Sequence, residues 1–332
     1  MSKKVAIIIP YFGKFPNYFD FWLKSALENL DFDFLIFTDN SDYKSINNVH
    51  FIKITFPKFK SLLQKKVEFK ICLNEPYKIC DYRPLFGSAL KEYIADYEFW
   101  GFGDVDLIYG KLNRFITPEI LNKYDKIYEL GHLTLLRNNV KCNNLWKIKH
   151  HLKNAYRYDE AFKTPYSCHF DETDGLTQIA KLEKINTYNN VDFADVDRSK
   201  YNFFLLGKKN RKEPGIFEWK SGNLFFYSKG YNKKIIKDNI AYVHLQKRKL
   251  SIPSIVDSVI DKSTKFMIVP NRFIFDSSPK FELSNQVLNS EYKYYKKNRK
   301  NEVIKKIRNH ALQQRIYRFF IKYLYRKRLD KN

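Results

Sequence analysis

The stretch FWGFGDVDLIYG, residues 99–110, sets two carboxylates one residue apart at the end of an apolar run, with glycines on both sides. A continuous apolar run of this length reads as a strand buried on both faces, and Asp104 and Asp106 fall where it ends. On a short turn after such a strand, both carboxylates can reach one divalent cation. A hard cation such as Mg²⁺ or Mn²⁺ takes oxygen ligands and keeps positions open for phosphate oxygens. Gly101 and Gly103 permit close backbone approach and unusual dihedrals. The bland alternative is a solvated turn with two surface acids, but such turns are rarely preceded by FWGFG.

The surrounding pattern says what kind of strand this is. Residues 5–9, VAIII, form a second apolar run closed by Pro10, and Phe19, Trp22, Leu23, Ala26, Leu27 and Leu30 then recur at helical spacing. Phe34–Phe37 and Phe51–Ile54 read as strands, and 61–73 and 84–97 as helices. The order β-α-β-β-α-α-β is that of a doubly wound α/β sheet, whose ligands bind at the carboxyl ends of the strands. Asp39, Asp104 and Asp106 all lie at that edge. Beyond Gly110 the spacing predicts a strand in GHLTLLRN (131–138), a helix over 143–156, a polar loop SCHFDETDG (167–175), and aromatic strands in FEWKSGNLFFYS (217–228) and IAYVHLQ (240–246).

The totals limit the alternatives. With 332 residues, 44% hydrophobic and 17% aromatic, the chain has the composition of a protein with a real core. No run approaches a bilayer-spanning length of about 18 apolar residues, and Lys3, Lys4 and VAIII are too short for a secretory signal. Cys72, Cys80, Cys142 and Cys168 contain no CxxC pair, so reduced thiols in a cytoplasmic protein are expected and a cysteine-built zinc site is not. The net charge is +24, and residues 290–332 carry 15 Lys/Arg against 3 Asp/Glu. Half of the excess therefore sits in the last 43 residues, and tail and body need separate explanations.

Three enzyme classes use an Asp-x-Asp pair. Haloacid-dehalogenase-like phosphatases place it after a chain-initial strand, whereas here it is mid-chain. Nucleotidyltransferases put Gly-Ser a short way upstream; Gly87-Ser88 precedes Asp104, but at a wide spacing. Sugar-nucleotide transferases, in which the metal bridges the donor diphosphate, fit best.

Several blocks in one order sharpen that reading: AIIIPYFGKFPNYFDFWLKS (6–25), FLIFTDN (34–40), PYKICDYRPLFG (76–87), FWGFGDVDLIYGKL (99–112), YDKIYELGHLTLLRN (124–138) and YVHLQKRK (242–249). Carrying them, the chain resembles bacterial GT-A-fold glycosyltransferases, and more narrowly a capsule and lipopolysaccharide glycosyltransferase-like family once catalogued as a domain of unknown function. The resemblance implies an α/β GT-A domain over residues 1–275, with a nucleotide-sugar half (1–110) and an acceptor half (111–275), followed by a basic helical tail (276–332).

It also implies roles. Pro10, Tyr11, Phe12 and Asp39 would lie at the donor base and ribose. Lys78, Asp81 and Arg83 would meet the donor sugar or phosphate, with a capping ion pair as the plainer alternative. Asp104, Asp106 and the late His244 would hold Mn²⁺ or Mg²⁺, and Lys247 and Arg248 would meet diphosphate oxygens. His132 is a candidate for the acceptor side. An inverting enzyme needs a carboxylate base, for which Asp171, Glu172 and Asp174 are the candidates; a retaining enzyme needs none, and those acids would then bind acceptor hydroxyls.

In the tail, Ile304, Ile307, Ala311, Leu312, Ile316, Phe319, Phe320 and Tyr323 recur at helical spacing among Lys and Arg. A basic helix with such a stripe suits an anionic membrane surface, which predicts a cytoplasmic enzyme peripheral on the inner face of the membrane, with a nucleotide-sugar donor and a glycan or lipid-linked acceptor. The alternative is a helix that docks its stripe on the body. Nucleic acid is not expected as a partner: charge alone argues for it, and no zinc finger, RNA-recognition signature or Walker A loop accompanies it.

Overall fold

The structure is a computed structural model that describes residues 5–207, 213–229, 234–252, 264–275, 304 and 311–321. Its first eight strands are β1 (Val5–Pro10), β2 (Phe32–Thr38), β3 (Val49–Lys53), β4 (Phe99–Gly103), β5 (Leu107–Tyr109), β6 (Lys126–Leu130), β7 (Leu133–Arg137) and β8 (Thr187–Tyr188). Seven of them form a mixed sheet in the order β3-β2-β1-β4-β7-β6-β8. Strands β1 to β4 run parallel, while β7 lies antiparallel to both β4 and β6. One sheet thus crosses residue 110.

The apolar runs became central strands because both faces are covered. Ile7, Ile9, Phe34 and Ile36 enter one core cluster, and Ala6, Ile8, Leu35 and Phe37 the opposite one. Each such side chain contributes roughly 1.5–3 kcal/mol of transfer free energy. Helix α1 (Phe19–Leu27) covers the first face with Phe19, Phe21, Trp22 and Ala26. It stops before Leu30, which is 69% exposed and outside the expected stripe. Asn29 turns the chain there: its amide bonds the carbonyls of Ser25 and Gly110, and its Oδ1 accepts from Leu112 N.

Three expected helices differ. Helix α2 spans Phe56–Gln64, earlier than the expected 61–73, and starts at Pro57 in its first turn. In place of a helix over 84–97 there is a 3₁₀ run, Pro76–Leu85, followed by single turns Phe86–Ala89 and Lys91–Ile94. Residues 143–156 hold only the end of a short helix (Val140–Asn143) and a 3₁₀ turn (Leu145–Lys147), because the polar run after Trp146 offers no apolar stripe.

The later strands are β9 (Ala194–Asp195), β10 (Gly215–Lys220), β11 (Asn223–Lys229), β12 (Ile235–Ile240), β13 (Tyr242–His244), β14 (Lys265–Val269) and β15 (Arg272–Ile274). Five make an antiparallel sheet, β12-β11-β10-β14-β15, and three make a small sheet, β5-β13-β9. The expected strand 240–246 therefore breaks at Ala241. Its amide bonds Asp192 O and its carbonyl accepts from Gly110 N, so the chain leaves the large antiparallel sheet and joins β5.

Of the basic tail, Ile304 and 311–321 fall within the described residues; Ile307 and Tyr323 lie outside them. Helix Ala311–Phe319 docks on the body through residues the expected stripe omitted. Tyr317 and Ile321 pack against the core, Tyr317 OH donates to Glu160 O at 2.7 Å, and Arg318 pairs with Asp174. Leu312, Ile316, Phe319 and Phe320 stay 51–68% exposed.

Candidate functional site

Strand β4 delivers the carboxylate pair. Gly101 is required there by close approach, since a Cβ would meet Thr134 O at 2.2 Å; neither Gly101 nor Gly103 takes the positive φ that the sequence allowed. Val105 turns into the core and leaves Asp104 and Asp106 on the other side of the turn. The β5-β13 register then aligns Leu107 with His244, so the imidazole comes to lie beside the pair.

Asp106 is 2% exposed. Its Oδ2 accepts from Lys247 N at 2.7 Å and lies 3.4 Å from His244 Nε2, while its Oδ1 is buried with no partner among the described residues. Ligand atoms of Asp104, Asp106 and His244 lie within 4.8 Å of one another. Burial works against charge in this pair, yet mutual attraction wins: His244 is raised to about 10 by Asp106 and Asp195, and Asp106 is lowered to about 2 by His244 and Lys247. Two carboxylates and an imidazole this close could hold a divalent cation, which would also meet the orphaned Asp106 Oδ1, so the residues fit a metal.

The turn that supplies Lys247 N is strained. Gln246 and Lys247 both adopt left-handed backbone, at φ 55° and 54°, a conformation that costs a non-glycine residue about 1 kcal/mol or more. The strain brings the Lys247 amide back to Asp106 and the Gln246 amide to Asp195 Oδ1, at 2.6 Å. The Lys247 ammonium is left over the Tyr77 ring, 4.4 Å from its centroid.

Arg83 joins this centre to the acidic loop. Its Nη2 bonds Asp104, and its Nη1 donates to Gly131 O at 2.7 Å and to Asp171 Oδ2 at 3.0 Å. Glu172 Oε1 accepts from Gly131 N at 3.0 Å. A side chain at Gly131 would collide with both acids, its Cβ 2.6 Å from Asp171 Oδ2 and 2.7 Å from Glu172 Oε1. Asp171 is 2% exposed, and burial pushes its carboxyl well above the usual range, against the pull of Arg83. Four buried polar atoms in this neighbourhood lack a partner among the described residues: Asp106 Oδ1, Asp171 Oδ1, His132 Nε2 and Arg83 Nε. Such atoms are costly unless a ligand, ion or water meets them.

Other expected site residues do different work. Asp81 is fully buried and accepts from Cys168 N, Phe170 N and the Lys78 ammonium, which also bonds Ala161 O and Tyr166 O. Lys78 and Asp81 thus pin the 161–170 segment. Arg248 is likewise buried, its guanidinium holding the carbonyls of Tyr201, Asp197 and Lys200 and bracing that loop. Asp174 pairs with Arg318 of the tail helix, apart from the Arg83 centre. Cys80, Asp81 and Asp171 also come within ligand distance of one another, but Asp81 is already engaged and burial pushes the Cys80 thiol up. Gly87-Ser88, the nucleotidyltransferase signal, is packed away: Gly87 lies against the Trp100 ring and Ser88 Oγ bonds Leu85 O and Trp146 Nε1.

At the carboxyl ends of β1 and β2, exposed Asp39 accepts from Gly13 N at 2.8 Å, and Tyr11 N bonds Phe37 O. Burial raises the Tyr11 phenol, and the charge of Asp106 adds to it. Phe12 packs on Phe56 and Phe59 instead. Sequence reasoning missed Asp195, whose Oδ1 meets His244 Nδ1 at 2.9 Å. The available signal was a second Asp-Val-Asp at 195–197.

A family model matches residues 7–277. The chain belongs to DUF6625, a family of unknown function. Comparison with curated proteins gave no match. Among solved structures, that of an active-site mutant of LgtC is similar at 14% identity and a TM-score of 0.26, covering 40% of this DUF6625 chain and 57% of LgtC. So loose a superposition carries no argument about function.

Proposed function

We propose that this DUF6625 protein is a metal-dependent glycosyltransferase with a GT-A-type domain over residues 1–275, moving a sugar from a nucleotide-diphosphate donor, a UDP-sugar in the first instance, to a glycan or lipid-linked acceptor in capsule, O-antigen or lipooligosaccharide synthesis. One observation carries the reading: Asp104, Asp106 and His244 converge at the carboxyl ends of parallel strands, with a partnerless carboxylate oxygen among them. A bound Mn²⁺ or Mg²⁺ would neutralise the leaving diphosphate. Asp104, Asp106 and His244 would hold it, and the Lys247 ammonium would add positive charge.

Transfer breaks the bond between the sugar's anomeric carbon and the donor phosphate oxygen. It forms a bond from that carbon to an acceptor hydroxyl oxygen, releasing the nucleoside diphosphate. In an inverting reaction the hydroxyl proton passes to Asp171, which shares Arg83 with Asp104, or to Glu172, held on Gly131 N; in a retaining reaction the proton passes to the leaving phosphate oxygen and these acids bind acceptor hydroxyls. Residues 1–110 would serve the donor and 111–275 the acceptor.

Location follows from the tail. No helix among the described residues is long and apolar enough to cross a membrane. The docked helix turns Leu312, Ile316, Phe319 and Phe320 outward in a segment of net charge +12, which supports a cytoplasmic enzyme held at the inner face of the membrane by anionic lipid. The deciding experiment is calorimetric titration with UDP, GDP, CDP and CMP, each with and without Mn²⁺. Metal-dependent binding of one diphosphate, lost in Asp104→Asn, supports the proposal; metal-independent binding, or none, overturns it.

A further inference from the structure

Strand β9 is two residues long, and its pairing has a specific result. It lies parallel to β13 with Asp195 in register beside His244, while β5 flanks β13 on the other side with Leu107 opposite the same histidine. The backbone locks this arrangement: Val196 N bonds His244 O at 3.2 Å, and Leu245 N bonds Asp106 O at 2.9 Å. His244 is therefore held between two carboxylates, Asp106 at Nε2 from the turn before β5 and Asp195 at Nδ1 from β9.

The two nitrogens have different surroundings. Asp195 Oδ1 lies 2.9 Å from Nδ1 and also accepts from Gln246 Nε2 at 2.6 Å, so this oxygen is fixed from two directions. The Nε2 side faces Asp106, whose Oδ1 is buried without a partner. A histidine that ligates a metal through one nitrogen commonly donates its other N–H to a carboxylate, which fixes tautomer and ring orientation. Asp195 is placed for that task and Asp106 is not, because Asp106 shares its side of the ring with Asp104.

We infer that Asp195 is a positioning residue of the cation site: it holds the His244 proton on Nδ1, leaving the Nε2 lone pair to join Asp104 and Asp106 around the metal, and Gln246 holds Asp195 in turn. This rests on the metal reading proposed above. It adds a residue some 50 positions before the histidine it serves; Asp195 also falls in a group with His132 and His244, but its Oδ1 is already held by His244 Nδ1 and Gln246.

The test is Mn²⁺ binding by the full chain in the absence of any donor, by calorimetry, for the wild type, Asp195→Asn, Asp195→Ala and Gln246→Leu. Loss of a carboxylate of this kind weakens metal affinity on the order of 10–100-fold. That loss is expected for both Asp195 variants, with a smaller loss for Gln246→Leu. The nitrogen coupling of bound Mn²⁺ in electron spin-echo spectra should fall in Asp195→Asn at a metal concentration that restores occupancy. Variants that bind Mn²⁺ as the wild type does, with only a lowered metal-free melting temperature, overturn the inference and leave the metal reading standing. A wild type that binds neither Mn²⁺ nor Mg²⁺ overturns both. If Asp195→Ala does not fold, the isosteric Asp195→Asn and Gln246→Leu, which keeps the Asp195 carboxylate, still decide.

Discussion

Lys247 donates its backbone N–H to Asp106 Oδ2 at 2.7 Å across 141 residues of chain. The contact closes the carboxylate turn against the strained turn after β13, and it survives any change that keeps an oxygen at Oδ2. Asp106→Asn therefore separates charge from shape. The variant keeps this hydrogen bond but loses the attraction to His244, so it is expected to melt below the wild type, to lose at least the roughly 10–100-fold in Mn²⁺ affinity that an outer-shell change costs, and to lose transfer with it. Calorimetry and a donor-hydrolysis assay measure these; full metal affinity in this variant would remove Asp106 from the site.

Arg83 carries two acids on one guanidinium, Asp104 at 24% and Asp171 at 2% side-chain exposure. Removing one partner of a buried pair costs about 3–5 kcal/mol, and the exposed side of Asp104 puts Arg83→Met at the low end, about 3 kcal/mol. Arg83→Lys should recover little, because an ammonium cannot reproduce the fork that spans Asp104, Asp171 and Gly131 O. Urea denaturation midpoints measure both variants.

Lys126, on β6, is buried with its ammonium donating to Tyr128 O, and burial pushes its pKa down to about 7. The unfolded lysine titrates near 10.4. Between about pH 7 and 10 the unfolded chain binds the extra proton, so this residue makes stability rise with pH across that window and plateau outside it. Lys126→Met is expected to melt above the wild type at pH 7 and to lack this rise. Thermal melts of the two proteins from pH 7 to 10 provide the comparison, and parallel curves would refute it.

The tail helix offers a cleaner separation. Ile316 and Phe319 are more than half exposed, whereas Tyr317 and Ile321 dock on the body. Ile316→Glu with Phe319→Glu should abolish association with anionic phospholipid vesicles and leave the melting temperature unchanged. Tyr317→Ala should lower the melting temperature instead. Vesicle sedimentation at two salt concentrations reads the first effect, since attraction between exposed charges is screened by salt.

Much of the parallel sheet was legible because its signal is local. VAIII, FLIF and FWGFG are continuous apolar runs, and only strands buried on both faces tolerate that pattern. The place of the Asp-x-Asp turn at a strand end was legible for the same reason, since strand and turn lie within one short stretch. The helices were less so. Residues 76–94 contain enough apolar positions for a helix, but Pro84 and the packing of Gly87 against Trp100 break the run into short turns.

Residue type fixed two carboxylates at Asp104 and Asp106, a histidine at 244 and a basic tail, and the expectation of a metal and a diphosphate rested on these. Only the tertiary structure decided which charges face that centre. Lys78, Asp81 and Arg248 share composition and neighbourhood in sequence with Arg83 and Lys247, yet they are buried as braces. Asp174 is three residues from Asp171 and pairs elsewhere. Asp195 reached His244 through strand register alone. A side chain's type and its distance along the chain do not encode its direction; long-range pairing and burial set that, and they exist only once the sheets have formed.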